Sequence, residues 1–360
     1  MSHSPLVSVC LPVYNGAPFL GDAIESVLRQ TYRNIELIIA DDHSSDGTED
    51  VVLAHAKSDR RVIYWKNEKN LGIFANYNAC LKSATGEFIK LFAQDDLLEP
   101  TCIERMLAKF LDHPEVALVG CTKRWIDASG RSLGVPRLFD EKTLISGRQA
   151  AVDSLKHLSN WLGEPSTVMF PRSLMGAGFD CGYHHLGDLD YWLDILRSGS
   201  YLYIPEILCN FRHHRQSATH KNLRELYFVS DYLRLGEKQA YWLEMTGESP
   251  EQYRERVILF AATHINKLVS QDDLSLSQVI GDRENQEKEL IELKEIAYSA
   301  LLQVSRLTQE KNSRDSLLLA EERRFDHLMP ALLDISNWSP TKPIRGLRTA
   351  LKAARRLLVP

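Results

Sequence analysis

From Val7 onward the chain alternates between short unbroken apolar runs and longer stretches in which apolar residues recur every third or fourth position. The runs at 7–13, 35–40, 62–65, 88–92 and 116–121 are rich in β-branched and aromatic residues, which predicts buried strands. Between the first two, Phe19, Leu20, Ala23, Ile24, Val27 and Leu28 make one apolar stripe; Val51, Val52 and His55 fit a second helix opening after the cap-like SSDGT. Strand, helix, strand, helix is the order of an α/β protein. Its sheet is mostly parallel and covered on both faces, with ligand sites at the carboxyl ends of strands.

The pattern changes near residue 219. Of 19 glycines, 15 fall at or before Gly199, so the first region is rich in turns and the remainder reads as successive helices. Residues 1–219 are therefore expected to form the principal domain, with a first part to about 125 and a second part over 126–219. Residues 220–360 form a helical extension. Within it Leu290, Leu293, Ala297, Ala300, Val304 and Leu307 keep a 3,4 spacing that fails at Lys311 and Arg314, too short for an independent coiled coil.

The polar residues can now be placed. Tyr14 and Asn15 follow the first run, Asp41 and Asp42 follow ELIIA, and Asp95 and Asp96 follow FIKLFA and Gln94. Any one of these clusters is most simply an Asx turn or a helix cap. Three of them at three strand ends read as one site.

Composition narrows the chemistry. A chain of 360 residues with 44% hydrophobic and 25% charged residues has the make-up of a globular protein, and a formal charge of -5 argues against a general nucleic-acid binder. Six dispersed cysteines without CxxC spacing, and a start, MSHSPLVSV, without the pattern of a signal peptide, lead to the expectation of a reducing cytoplasm. No apolar stretch approaches the ~20 residues needed to cross a bilayer. The last segment, PIRGLRTALKAARRLLVP, places Ile344, Leu347, Leu351, Ala354 and Leu358 on one helical face and Arg345, Arg348, Lys352, Arg355 and Arg356 on the other. Such a helix suits peripheral attachment to an anionic membrane surface, with Trp338 as an anchor, or docking on protein.

Adjacent carboxylates without a nearby Cys or a suitably spaced His form a hard oxygen site, suited to Mn²⁺ or Mg²⁺ completed by water and phosphate oxygens. No GxxxxGK[ST] loop is present, and GAGFDCG lacks dinucleotide-fingerprint spacing.

The stretches VSVCLPVYNGAPFLGDAIESVLRQTYRNIELIIADDHSSDGT and NLGIFANYNACLKSATGEFIKLFAQDD resemble the opening of a family-2 glycosyltransferase with the GT-A fold; with later segments the likeness covers about 7–217. The resemblance implies a nucleotide-sugar donor, a UDP-sugar first among them, a divalent ion, and direct displacement at the anomeric carbon with inversion. It also implies a glycan or lipid-linked acceptor in surface polysaccharide synthesis. By the same likeness Pro12, Tyr14 and Asn15 line the nucleotide pocket, and Asn78 joins the donor contacts. Asp42 accepts from the pyrimidine ring beside Asp41. Asp95 and Asp96 serve the diphosphate and metal, with Asp96 the direct ligand. Asp188, in GDLDYWLDIL, matches the catalytic base. In FRHHRQS, Arg212 and His214 lie near the diphosphate or metal. His43 stands where the family often has Gly, and Gln94 where another Asp is common.

The reaction asks for similar parts on its own account, because a sugar hydroxyl needs a carboxylate within reach to take its proton. Asp188 and Asp190 are two apart on a helix and do not share a face, so Asp190 ranks second as base. Two other readings stay open: a catalytically inert GT-A protein that binds a nucleotide sugar or a partner, and a sugar-phosphate nucleotidyltransferase, whose Gly-rich signature loop PVYNGAPF does not supply. Paired histidines at 184–185 and 213–214 lack zinc-site spacing. Trp192 reads as core; Tyr191 is a weak candidate to stack on an acceptor, and Trp161 lines the acceptor side or is buried.

Overall fold

All seven residues of β1 (Val7–Val13) and of β2 (Ile35–Asp41) are buried, because both faces of these parallel strands are covered by helices. The computed structural model describes residues 4–214, 217, 222 and 227–271, with side chains described as far as Ala261. Between β1 and β2 runs α1 (Ala17–Leu28), opened by Pro18 in its first turn and burying Leu20, Ala23, Ile24 and Val27. Next come α2 (Thr48–Ser58), β3 (Val62–Lys66), α3 (Ile73–Ser83), β4 (Phe88–Leu91), β5 (Leu97–Leu98) and α4 (Cys102–Asp112). The second half of the sheet is built from β6 (Val116–Ile126), β7 (Ser132–Gly134), β8 (Thr143–Ile145), β9 (Val168–Pro171) and β10 (Ser200–Arg212), with α5 (Gly147–His157) and α6 (Gly187–Ile195) between them.

Among the described residues the strands form one sheet in the order β3-β2-β1-β4-β9-β6-β10-β5, with β7 beside β6 and β8 beside β10. The strands from β3 to β4 are parallel, as expected from the alternating pattern. β9 then enters antiparallel between β4 and β6, and β6 and β10 are again parallel. The antiparallel members leave little trace in the sequence: β9 is four residues ending in proline, and β5 is two residues long, too short for a period to register. β6 runs on to Ile126, past the expected end at Cys121.

Lys90 of β4 is fully buried. Its ammonium donates to the carbonyl oxygens of Leu91 at 3.1 Å, Ser166 at 2.5 Å and Val168 at 3.2 Å. All three donors are therefore satisfied by main chain, and the lysine fastens the 166–168 segment to the end of β4. That segment also sets Ser166 Oγ to accept from the Ala93 N–H at 3.0 Å, two residues before the acids that follow β4.

The chain divides into two units, residues 1–220 with 234–248, and residues 221–233 with 249–360. Residues 234–248 carry the end of α7 (Tyr227–Lys238) and α8 (Ala240–Glu244). They pack with the first unit: Lys238 pairs with Asp180 and Asp190, and the Trp242 indole N–H donates to Leu193 O at 3.1 Å. In the second unit, α9 (Pro250–Gln271) contributes Tyr253, whose hydroxyl donates to Tyr232 O at 3.0 Å. No helix among the described residues is long and apolar enough to cross a membrane. The 290–307 seam and the basic terminal segment with Trp338 lie outside the described residues.

Candidate active site

The chain leaves β1 through Tyr14 and Asn15 into Gly16. Pro12 is buried within β1, opposite Ala40 of β2. Tyr14 is 50% exposed, and its main chain is tied to Gln94 in both directions: its N–H donates to Gln94 Oε1 at 2.8 Å and its carbonyl accepts from Gln94 Nε2 at 3.0 Å. Gln94 thus clamps the end of β1 to the end of β4. The clamp requires a glycine at position 16, where an added Cβ would lie 2.6 Å from Gln94 Oε1. Asn15 takes a left-handed φ of 48°, which asparagine tolerates better than most residues. Its N–H donates to Ser44 Oγ, and its side-chain oxygen accepts from Ser45 N–H.

Asp41 and Asp42 are both buried at the end of β2. Asp41 accepts from Ser44 N–H at 2.8 Å and from the Tyr64 hydroxyl at 3.2 Å. Asp42 accepts three times: Leu71 N–H at 2.8 Å, Gly72 N–H at 2.9 Å and Asn67 Nδ2 at 3.0 Å. Leu71 and Gly72 stand at the start of α3, where free N–H groups favour an anion. A carboxylate has about four acceptor positions, so three are engaged and one remains. Asn67 also donates to Asn76 Oδ1, and Asn76 donates to Ala40 O. This amide chain was not legible in the sequence, because an isolated Asn carries no period. His43 sits at φ 65°, a left-handed conformation that favours glycine, with its ring nitrogen 3.1 Å from Asn67 O.

Asp95 and Asp96 follow β4 with opposite surroundings. Asp95 is partly exposed and its Oδ2 lies 2.8 Å from His214 Nε2, while its carbonyl accepts from Arg212 Nε at 2.7 Å. Asp96 is 1% exposed; its Oδ1 accepts from the Arg212 N–H, and its Oδ2 is buried without a hydrogen-bond partner. Burial first, and the Asp95 charge second, raise the Asp96 carboxyl well above the usual carboxylate range, opposed by the nearby Ser166 hydroxyl and the Arg212 N–H. Arg212 and His214 both lean on Phe19, the guanidinium 4.8 Å and the imidazole 5.0 Å from its ring centre.

Among the described residues no three His, Cys, Asp or Glu side chains form a ready-made metal cage. A protein-poor set of two carboxylates nevertheless fits Mg²⁺ or Mn²⁺, which retain water and bind substrate phosphate oxygens. The buried oxygen of Asp96 without a donor is the observation that such a cation would satisfy.

Asp188 is half-buried in the first turn of α6. Its Oδ1 accepts from Leu189 N–H at 2.8 Å and its Oδ2 from Asn160 Nδ2 at 2.9 Å. Asp190, on another side of the helix, is buried against Lys238 Nζ at 2.5 Å and Gln239 Nε2 at 2.8 Å, a structural ion pair. Burial first, then the Asp96 and Asp95 charges, push the Tyr77 hydroxyl up, and that hydroxyl donates to Phe92 O at 3.4 Å.

The other expected contacts sort by burial. Asn78 donates to Phe179 O and accepts from Phe179 N–H, both at 2.8 Å, and so fastens the 178–181 turn to α3. Tyr191 does not face an acceptor: it is 2% exposed, its hydroxyl donates to Met175 O, and its ring packs on Phe179 at 4.5 Å. Trp192 is core. Trp161 borders a cavity of about 200 Å³ with Lys123, Trp125, Leu138, Asn160 and Glu164. His213 sits edge-on to Trp125, and His214 meets Asp95.

Three comparisons bear on this geometry. The family model described as Glycosyl transferase family 2 matches residues 8–160. An uncharacterized glycosyltransferase of Rickettsia typhi is 30% identical over 267 residues, spanning 73% of this chain and 78% of the relative. Among solved structures, residues 1–349 of Staphylococcus aureus TarS in complex with UDP-GlcNAc superpose with a TM-score of 0.55 at 15% identity, covering 93% of each chain. The mannosyltransferase PcManGT of Pyrobaculum calidifontis, in complex with GDP-Man and Mn²⁺, gives 0.50 at 16% identity over 86% of this chain and 89% of that one.

Proposed function

Because the chain belongs to glycosyl transferase family 2, we propose that it is a metal-dependent inverting enzyme. It moves a sugar from a nucleotide donor, a UDP-sugar in the first instance, to a hydroxyl of a glycan or lipid-linked acceptor. The fold is the GT-A arrangement expected from the sequence. The observation that carries the proposal is Asp96: a buried carboxylate with one oxygen lacking a donor, beside a second carboxylate at the end of β4.

In this reading the donor lies across the ends of β2, β1 and β4. Asp42 offers its remaining acceptor position to the N–H of a pyrimidine ring, while Asp41, held by Ser44 and Tyr64, keeps the turn in shape. Pro12, Tyr14 and Asn15 form the wall between base and diphosphate, and Tyr14 has the exposure to stack on a ring. Asp95 and Asp96 hold the divalent ion, with His214 and Arg212 fixing Asp95. A bound Mn²⁺ or Mg²⁺ would offset the negative charge that develops on the departing diphosphate. Asp188 takes the proton of the acceptor hydroxyl through an oxygen oriented by Asn160.

The neighbours' ligands, UDP-GlcNAc for TarS and GDP-Man with Mn²⁺ for PcManGT, support a nucleotide-sugar donor. A panel of nucleotide sugars with Mn²⁺, Mg²⁺ or chelator, followed by thermal unfolding and by nucleotide release, tests the proposal. A donor that stabilises the protein only with metal and is then turned over supports it; nucleotide binding without turnover in any condition points instead to an inert member of the fold. The basic segment after Pro343 is proposed to rest on an anionic membrane near a lipid-linked acceptor. Removing it should release the protein from anionic liposomes and leave donor hydrolysis unchanged.

A further inference from the structure

We propose that the cavity beside Asn160 is the binding site for one neutral sugar ring of the acceptor, an inference that rests on Asp188 being the base. The cavity measures about 200 Å³, room enough for a small ligand such as one sugar ring. It lies on the β6 and β10 side of the sheet, whereas Asp41 and Asp42 end β2, with β1, β4 and β9 between. A nucleotide held at Asp42 and a ligand in this cavity therefore occupy different ends of the sheet.

The lining combines oriented aromatic and aliphatic side chains with Lys123, Asn160, Glu164 and Thr167. Trp161 is held edge-on by Tyr201 at 5.4 Å and Phe139 at 6.1 Å, and Trp125 and Leu138 stay 37% and 47% exposed beside it. An indole held in this way suits the C–H face of a sugar, and the polar groups around it suit the hydroxyls. Two of the lining residues each keep one buried oxygen without a hydrogen-bond partner, Asn160 Oδ1 and Glu164 Oε2. The Asn160 assignment is fixed by its neighbours: Asp188 Oδ2 and Gly163 O are both acceptors, so the NH₂ faces them and Oδ1 is left over. Two unfilled acceptors call for a ligand rich in O–H donors. The cation at the wall, Lys123, is already paired with Glu164, so an anionic ligand would meet a carboxylate and no free positive charge. One amide thus faces the base through Nδ2 and the ligand through Oδ1, which brings an acceptor hydroxyl to Asp188.

The test uses the full chain and methyl glycosides of glucose, galactose, mannose and N-acetylglucosamine, read by saturation-transfer NMR. At least one is expected to bind with its ring C–H protons against protein. Its affinity should fall at least about tenfold in Trp161→Ala and be retained in Trp161→Phe. Leu138→Trp, at an exposed position on the rim, should fill the cavity and abolish the signal even if Trp161→Ala folds poorly. UDP titrated with Mn²⁺ should bind each variant like the parent. No binding of any glycoside to the parent, or binding indifferent to positions 161 and 138, overturns the proposal. The two readings fail separately: sugar bound in this cavity without any nucleotide-sugar turnover counts against the transferase, and turnover with binding indifferent to both positions counts against the cavity.

Discussion

The backbone N–H of Arg212 donates to Oδ1 of Asp96 at 2.9 Å across 116 residues of sequence. The end of β10 is thereby fixed to the acid pair after β4, and Arg212 Nε reaches Asp95 O in the same stroke. The main chain engages Oδ1, whereas Oδ2 of Asp96 has no donor and is the oxygen most open to a cation. Asp96→Asn keeps an acceptor for the Arg212 N–H and removes the charge. Since burial and Asp95 raise the Asp96 pKa in the fold, its ionised form costs stability at neutral pH, and the Asn variant should unfold at higher urea than the parent without metal. Its Mn²⁺-dependent thermal shift should vanish and turnover fall by at least about a hundredfold. A variant that keeps its metal response would show that the ion is bound elsewhere.

Asp188→Asn removes a proton acceptor and leaves the donor contacts alone. Transfer should drop by about 10²–10⁴-fold with nucleotide affinity unchanged. Parallel measurement of kcat and of UDP binding by calorimetry checks this, and normal turnover would place the base at another residue.

Much of the donor half was legible in the sequence. The parallel strands announce themselves by unbroken apolar runs, and the acids at their ends follow from register: Asp41 closes β2 opposite Val13 of β1. The partners that give those acids their properties were not legible. Asn67, Asn160, Glu164 and Ser166 are single polar residues in loops, and their roles arise from long-range closure that no local period encodes. Lys90 is the clearest example, since a lysine within a strand pattern reads as a solvent-facing position yet is 0% exposed.

Lys90 supplies a stability test. Lys90→Met keeps the length of the side chain and strips donors from three buried carbonyl oxygens. At about 1–3 kcal/mol for each buried group left unsatisfied, with partial relaxation, the loss should be about 3 kcal/mol by urea denaturation. A loss below about 1 kcal/mol would mean that the 166–168 segment is held by other contacts.

Asp42→Ala should act on fold and site together. It deprives Leu71 N–H, Gly72 N–H and Asn67 Nδ2 of their acceptor, and charge-assisted bonds of this kind contribute about 1.5–3 kcal/mol each before relaxation. Destabilisation of about 2 kcal/mol is expected together with weaker UDP binding. If UDP affinity is unchanged in a variant that is destabilised, Asp42 serves the start of α3 and not the base.

Asp180, which is none of the proposed catalytic groups, makes stability depend on acid pH. Partial burial pushes the Asp180 carboxyl up, but the Gly182 N–H, Arg234 and Lys238 outweigh it and bring the pKa down to about 2. The contacts are 2.9 Å from Gly182 N to Oδ1, and 3.0 Å from Arg234 and 3.2 Å from Lys238 to Oδ2. A carboxyl whose folded pKa lies below its unfolded value of about 3.9 contributes stability that is complete above the unfolded value. That contribution is lost as pH falls toward the folded one. Arg234 is 47% exposed and solvent screens the pair, so the contribution is held to about 1 kcal/mol. The parent should therefore be more stable than Asp180→Asn at neutral pH, and the gap should shrink between about pH 4 and pH 2. Urea midpoints for both proteins measured down this range decide the matter, because a gap as wide at the acid end as at neutrality would mean that Asp180 acts through a hydrogen bond that survives protonation.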